Sequence, residues 1–335
     1  MGKSTKAPKG SKASASKTVS GLSFKENRLE APFTIENWHL PMCESKIYWG
    51  AIAKKEHIVC LVQDKNKDDI LNTLTKCGIL EFLEKEPIGI STADVVEFFN
   101  NSTLEVSEQE TVLKTSVQDH NISLRWSVLA DTFELPATGT LEEVPAYDDS
   151  ILSEMYKVIK NTADSSSPKD FHTNDCRRKH ILDVYNITGY LLYKCFDCQK
   201  GSFDQFSRRR WSMVKLVHDM NKDNSEFSLN WAKELFNIIT KAAKDFKAVA
   251  CEDDDGNERA TAYTILPLGI KICYLLEKLG ITLRDPRTIP GGSYVGRHQH
   301  QQATKNSKAA DSSTVSKKRK SSSVAEQSVA SSAPP

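Results

Sequence analysis

Residues 91–124, STADVVEFFNNSTLEVSEQETVLKTSVQDHNISL, decide the fold class of this chain. Two periods follow one another in this stretch. Val95, Val96, Phe98 and Phe99 lie on one side of a helix, and a hydroxyl at Ser91 or Thr92 can accept hydrogen bonds from the free amides of its first turn. Asn100-Asn101 ends that helix. The period then shortens. Thr111 to Val117, the polar Gln118-Asp119-His120-Asn121, and Ile122 to Leu124 predict a β-hairpin closed by a polar turn.

The same alternation of helix and hairpin extends in both directions. Ile70, Leu71, Leu74, Cys77, Ile79, Leu80 and Leu83 recur every three or four residues, which predicts helix over Asp68–Leu83 with Gly78 as a weak point or a boundary. The apolar run His57–Val62 fits either a short buried strand or a helical segment. A helix through Trp126, Val128, Leu129 and Phe133 stops at Pro136, and another covers 151–160. Asn161–Lys169, NTADSSSPK, has the composition of a linker. Beyond it lie the apolar Leu182–Cys195, the basic and aromatic Phe203–Met220, and a helix through Trp231 and Ile239 with Ser228 as its cap. Asp255-Gly256 between two alanine-rich runs predicts a second hairpin, because this pair tolerates the positive φ of a tight turn. A last helix runs from Ile270 to Leu279 and ends at Gly280.

Both ends of the chain are different. Residues 1–20 carry Lys3, Lys6, Lys9, Lys12 and Lys17 and no acid; residues 297–335 are rich in Ser and Lys. The whole chain is +1 and each end contributes +5, so residues 21–296 carry −9. The ends have too few apolar groups to offset the entropy of ordering. The expected architecture is therefore mainly α with small β-hairpins, as two helical subdomains flanked by disordered basic tails. The boundaries are a tail at 1–30, an N-terminal helical subdomain with hairpin at 31–160, a linker at 161–169, a C-terminal helical subdomain at 170–290, and a Ser-rich tail at 291–335.

Several classes of function are disfavoured. The N-terminus has no apolar signal region, so the expectation is a nuclear or cytoplasmic protein that is not secreted. The longest apolar stretch, Tyr263–Leu276, is broken by Pro267 and Lys271 and is too short to span a bilayer, so no membrane association is expected. The eight cysteines then read as reduced core thiols.

Three clusters carry candidate chemistry. His172, Cys176 and His180 fall at i, i+4 and i+8, and Cys195-x2-Cys198 follows. On one helix face these are zinc-ligand types, but the spacing matches no standard zinc module, and packing or surface roles are expected instead of a metal. Arg177-Arg178-Lys179 and Arg208-Arg209-Arg210-Trp211 are a candidate nucleic-acid surface, with guanidiniums for phosphate and an indole for a base. The competing reading is a solvated helix face with Trp211 turned inward. Lys317-Lys318-Arg319-Lys320 is a candidate nuclear-import signal for an acidic receptor groove; the alternative is an unspecific basic tail. Cys251–Gly256 echoes a calcium loop, but Cys251 and Ala262 occupy the outer ligand positions, so a hairpin turn is expected.

The order of elements resembles the gag-like proteins encoded by plant retroelements, also called plant transposon-domain proteins. The resemblance rests on Ile79–Leu83, Val95–Asn101 before a hairpin, Leu129–Gly139, Lys200–Phe206, Asn230–Phe236 and Leu268–Leu283. It covers residues 35–285 and consists of spacing and of apolar and aromatic positions. The zinc knuckle, the protease triplet and the reverse-transcriptase motif are missing: Asp131-Thr132 continues with Phe133, and Tyr147-Asp148-Asp149 lacks the intervening residue. The resemblance implies a non-catalytic structural protein of plant retroelement origin, without cofactor. It would self-associate through the folded block and bind RNA or DNA non-specifically through its tails. The alternative is a host nuclear scaffold associated with chromatin or transcription.

Overall fold

The computed structural model describes residues 34–62, 66–108, 110–173, 175–197, 206–222, 225 and 228–304. Over these residues the protein is mainly α, with two small antiparallel sheets.

The first helices form as their local chemistry dictates. Helix α1 (Leu40–Lys46) opens with the His39 ring, whose Nδ1 accepts from the Met42 amide at 3.2 Å. The run that allowed strand or helix is helical: α2 (Lys55–Ile58) continues into a 3-10 turn, Val59–Leu61. Helix α3 (Lys67–Lys76) ends at Gly78, so this glycine is a boundary, and α4 (Leu80–Glu84) starts after it. Gly78 has φ +70°, and a Cβ there would lie 2.4 Å from Pro136 Cγ. Both the handedness and the close approach demand glycine.

Helix α5 (Thr92–Asn100) is capped by Ser91, whose Oγ accepts from the Asp94 amide at 3.3 Å. The hairpin follows as β2 (Thr111–Val117) and β3 (His120–Leu124), paired from Leu113↔Leu124 to Val117↔His120. Gln118 and Asp119 both have positive φ, 51° and 62°, as a two-residue turn matched to strand twist requires. A third strand, β1 (Thr103–Val106), pairs antiparallel with β2. Its Thr103-Leu104-Glu105-Val106 alternates polar and apolar, but over four residues with three of the side chains exposed, so its pairing with β2 is what reveals it.

Helix α6 (Trp126–Phe133) closes with Glu134 in the left-handed region, and α7 (Asp149–Ile159) is capped by Asp148. Helix α8 (Asp183–Leu191) runs on into a π-helical turn, Leu192–Asp197. Helix α9 (Arg208–Met220) follows, then α10 (Trp231–Asp245). The cap of α10 is Asn230, whose Oδ1 accepts from the Lys233 amide at 2.9 Å. Ser228, the expected cap, instead accepts from the Thr140 amide at 3.1 Å. The second hairpin is β4 (Ala248–Glu252) with β5 (Glu258–Ala262), and Gly256 holds φ +79° in its turn. Asp253 organises that turn: Arg259, then the Asn257 amide, hold its carboxyl down at about 2. Helix α11 (Gly269–Lys278) ends before Gly280, φ +81°.

The buried clusters do not divide at 161–169. The larger combines residues from Trp38 to Val144 with residues from Leu191 to Val295. Phe82 meets Phe133 at 5.4 Å and Phe196 at 5.3 Å, and Phe196 meets Trp231 at 5.1 Å. The Trp231 indole donates to the Cys77 carbonyl at 2.7 Å, tying α10 to the end of α3. The smaller cluster gathers Leu152, Tyr156, Phe171, Phe206, Trp211 and Val214. Helix α9 contributes to both, which is why ten of its thirteen residues are buried. The reason is burial itself: α10 and α11 carry apolar faces that the first half of the chain must cover.

The C-terminal tail also begins later than 291. Val295 is buried and its amide donates to the Ile52 carbonyl at 2.9 Å, while 297–304 is helical. Its polar composition hides this, although Val295 and Tyr294 pack in and against the larger cluster. Residues 1–33 and 305–335, and with them Lys317, Lys318, Arg319 and Lys320, lie outside the described residues.

Candidate functional site

The arginine cluster is built at the start of α9, where the Ser207 hydroxyl accepts from the Arg210 amide at 3.4 Å. The first residues of a helix point in different directions around its axis, so three adjacent arginines have three fates. Arg208 is exposed and reaches Asp149 at the start of α7. Arg209 donates to Asp197 at 3.1 Å and to Glu234 on α10. Arg210 is buried, with its guanidinium 3.6 Å from the Tyr193 ring centroid and its Nε 3.8 Å from Asp197.

Asp197 and Glu234 are themselves buried, at 4% and 2% exposure. Burial raises the Asp197 carboxyl above the usual carboxylate range, against the pull of Arg209 and Arg210. Arg209 and Arg210 therefore neutralise interior carboxylates and join the π-helical turn, α9 and α10. Trp211 is fully buried, edge-on to Phe171 at 5.2 Å and to Phe206 at 5.1 Å. The candidate nucleic-acid surface at Arg208–Trp211 is thus corrected: of the four, Arg208 alone is exposed, and it is paired.

Arg177, Arg178 and Lys179 are more accessible. Arg178 stands 4.7 Å over the Tyr190 ring, and Lys179 donates to the Ser166 hydroxyl at 3.0 Å. Arg177 and Lys179 are exposed.

The candidate zinc residues are not assembled. The described residues among 172–180 hold turns and one 3-10 segment, Arg178–His180, where the spacing had implied a single helix face. His172 is exposed. His180 is buried, and its Nδ1 accepts from the Arg177 amide at 2.9 Å. Cys176 packs in the smaller cluster and Cys195 in the larger. Cys198 lies outside the described residues. Among the described residues no group of three or more His, Cys, Asp or Glu is placed to hold a metal ion.

Recesses mark the surface of the described residues. One of about 720 Å³ lies between α3 and α8, with Asp69, Asn72, Lys76, Asp183 and Asn221 in its wall beside Leu182 and Val184. One of about 850 Å³ adjoins the Asp197–Arg209–Glu234 network and is also lined by Lys241 and Ile265. A smaller one, about 380 Å³, lies against the C-terminal segment.

Sequence reasoning missed three groupings. Asp94 is fully buried and accepts from Arg284 and Gln118, which come from distant parts of the chain. Lys271 is buried at 3% exposure, and its ammonium donates to the carbonyls of Phe82 and Lys85, both at 2.8 Å. It thereby caps the C-terminal end of α4, where a cation suits the helix dipole. Cys60 Sγ lies 3.7 Å from His300 Nδ1 across 240 positions of sequence. No local spacing signals any of them.

No family model matches the chain, and neither a curated protein nor a solved structure is similar to it.

Proposed function

We propose that this chain is a non-catalytic, gag-like structural protein of plant retroelement origin that self-associates through its folded block and meets nucleic acid through its basic ends. The observation that carries this reading is the inward use of Arg209 and Arg210. With these charges committed to Asp197 and Glu234, the Arg209-Arg210 pair offers a polyanion little, and the lysines of residues 1–20 and 305–335, with the exposed Arg177 and Lys179, carry the attraction.

Exposed apolar side chains support the assembly half of the proposal. Helix α7 buries Leu152, Met155, Tyr156 and Ile159 yet presents Ile151 and Val158, seven residues apart on its outer face, at 39% and 66% exposure. Tyr263 and Ile265 project beside β5. Large apolar side chains grouped this way are typical of surfaces that another chain covers. No helix among the described residues is long and apolar enough to cross a membrane.

Sedimentation of the purified chain at low and high salt, with and without RNA, tests the reading. The expected result is a mass above the monomer and RNA affinity that falls with salt. Each phosphate neutralised contributes about −0.7 to the logarithmic slope on a single strand or about −0.9 on duplex DNA. Removing residues 1–20 and 305–335 should flatten that slope and leave the assembly intact. A strict monomer under all conditions overturns the proposal.

A further inference from the structure

The described cysteines are of two kinds. Cys43, Cys77, Cys176, Cys195, Cys251 and Cys273 are buried, and burial pushes the thiols of Cys77, Cys195 and Cys273 up to about 12. Such thiols are inert at neutral pH. Cys60 is partly exposed. It sits in the 3-10 turn after α2, with its Sγ 3.3 Å from the Glu56 carbonyl oxygen and 3.7 Å from His300 Nδ1.

The C-terminal segment is held there by the backbone. Gly296 has φ +77°, and a Cβ on it would lie 2.4 Å from the His57 carbonyl oxygen. This close approach sets 297–304 against α2 and brings the His300 ring 5.1 Å from the His57 ring. Glu56, Lys54, Arg297 and Tyr294 complete the polar surroundings of these rings. The recess of about 380 Å³ is lined by Tyr294, Gly296 and Gln299 of this segment and by Leu61.

We propose that Cys60, with His300 as its base, is a site of reversible covalent modification by low-molecular-weight disulfides. The His300 imidazole takes the thiol proton, and Sγ attacks one sulfur of the disulfide. The disulfide bond breaks as the bond to Cys60 forms, and the departing thiolate recovers the proton from His300. One disulfide is consumed, and one mixed disulfide and one free thiol result, with no other oxidant needed. This goes beyond the assembly role and does not depend on it.

The test uses the native full-length chain and oxidised glutathione, read by intact mass and peptide mapping. The expected adduct is a single glutathione on Cys60, removed by dithiothreitol. His300→Gln should slow its formation at least about tenfold, a threshold set below the roughly 10²–10⁴-fold of a well-positioned general base. The six buried cysteines must stay unlabelled in the variant, which reports that it is folded. Independently of any variant, native Cys60 should react at least about tenfold faster than the same thiol in a synthetic peptide spanning 55–65. An adduct on another cysteine with Cys60 free overturns the proposal. So does a wild-type rate in folded His300→Gln, or a peptide as fast as the native chain.

Discussion

Replacing Asp94 should destabilise the protein more than any other single carboxylate change in the N-terminal half. Its carboxylate is fully buried on α5. One oxygen accepts from the Arg284 amide at 2.8 Å. The other accepts from Arg284 Nε at 2.7 Å and Gln118 Nε2 at 3.0 Å. Breaking a buried ion pair from one side costs about 3–5 kcal/mol, since the partner is left uncompensated. Arg284 keeps Glu97 and is 27% exposed, so Asp94→Ala belongs at the lower end, about 3 kcal/mol. Urea unfolding followed by circular dichroism reads this as a midpoint lower by about 1 M, for a slope of about 3 kcal/mol per M. Arg284→Ala should cost a similar amount. The double variant should fall short of the sum by at least about 1 kcal/mol, because the two side chains share one interaction. A loss below about 1 kcal/mol for Asp94→Ala, or strict additivity, would refute the claim that this contact fastens residues 281–287 to α5.

Three further outcomes follow from the same structure. Arg209→Met should strip Glu234 and Asp197 of a guanidinium and cost about 3 kcal/mol of stability with RNA affinity unchanged; a stable variant with weakened RNA binding would show the arginine facing a partner instead. Gly78→Ala must force both a positive φ and a clash with Pro136, for a loss of about 2 kcal/mol or more; a midpoint equal to wild type in urea would count against the close approach. Burial lowers the imidazoles of His57, His180 and His218 below their usual range. The unfolded chain therefore takes up protons below about pH 6.5 more readily than the folded one. Their contribution is whole above that pH and is lost as the pH falls, so His218→Gln should show a shallower decline in urea midpoint between about pH 7.5 and pH 5. Parallel profiles for variant and wild type would exclude it.

Legibility in the sequence followed the range of the interaction. The Asp255-Gly256 hairpin and the stop at Gly280 act over a few residues and were readable from local chemistry, which also narrowed the α5 cap to Ser91 or Thr92 and marked Gly78 as a weak point or a boundary. The hairpin β2–β3 was readable too, but β1 was not, because four alternating residues are too short a pattern and the strand is held by its neighbour's backbone. Ser228 and Asn230 are both good caps, and the choice of Asn230 depended on where residues 137–141 ran alongside.

The amino-acid sequence by itself determined the mainly helical class, several of the helix ends, and the concentration of positive charge at the two ends. Tertiary structure alone decided what the charges inside the block do. An arginine pattern is the same whether it faces solvent or a buried Asp197, and a cysteine carries no mark of a histidine 240 positions away. Those outcomes are set by which apolar faces must be covered. That packing put α9 between two cores, joined the end of the described chain to α2, and so placed His300 beside Cys60.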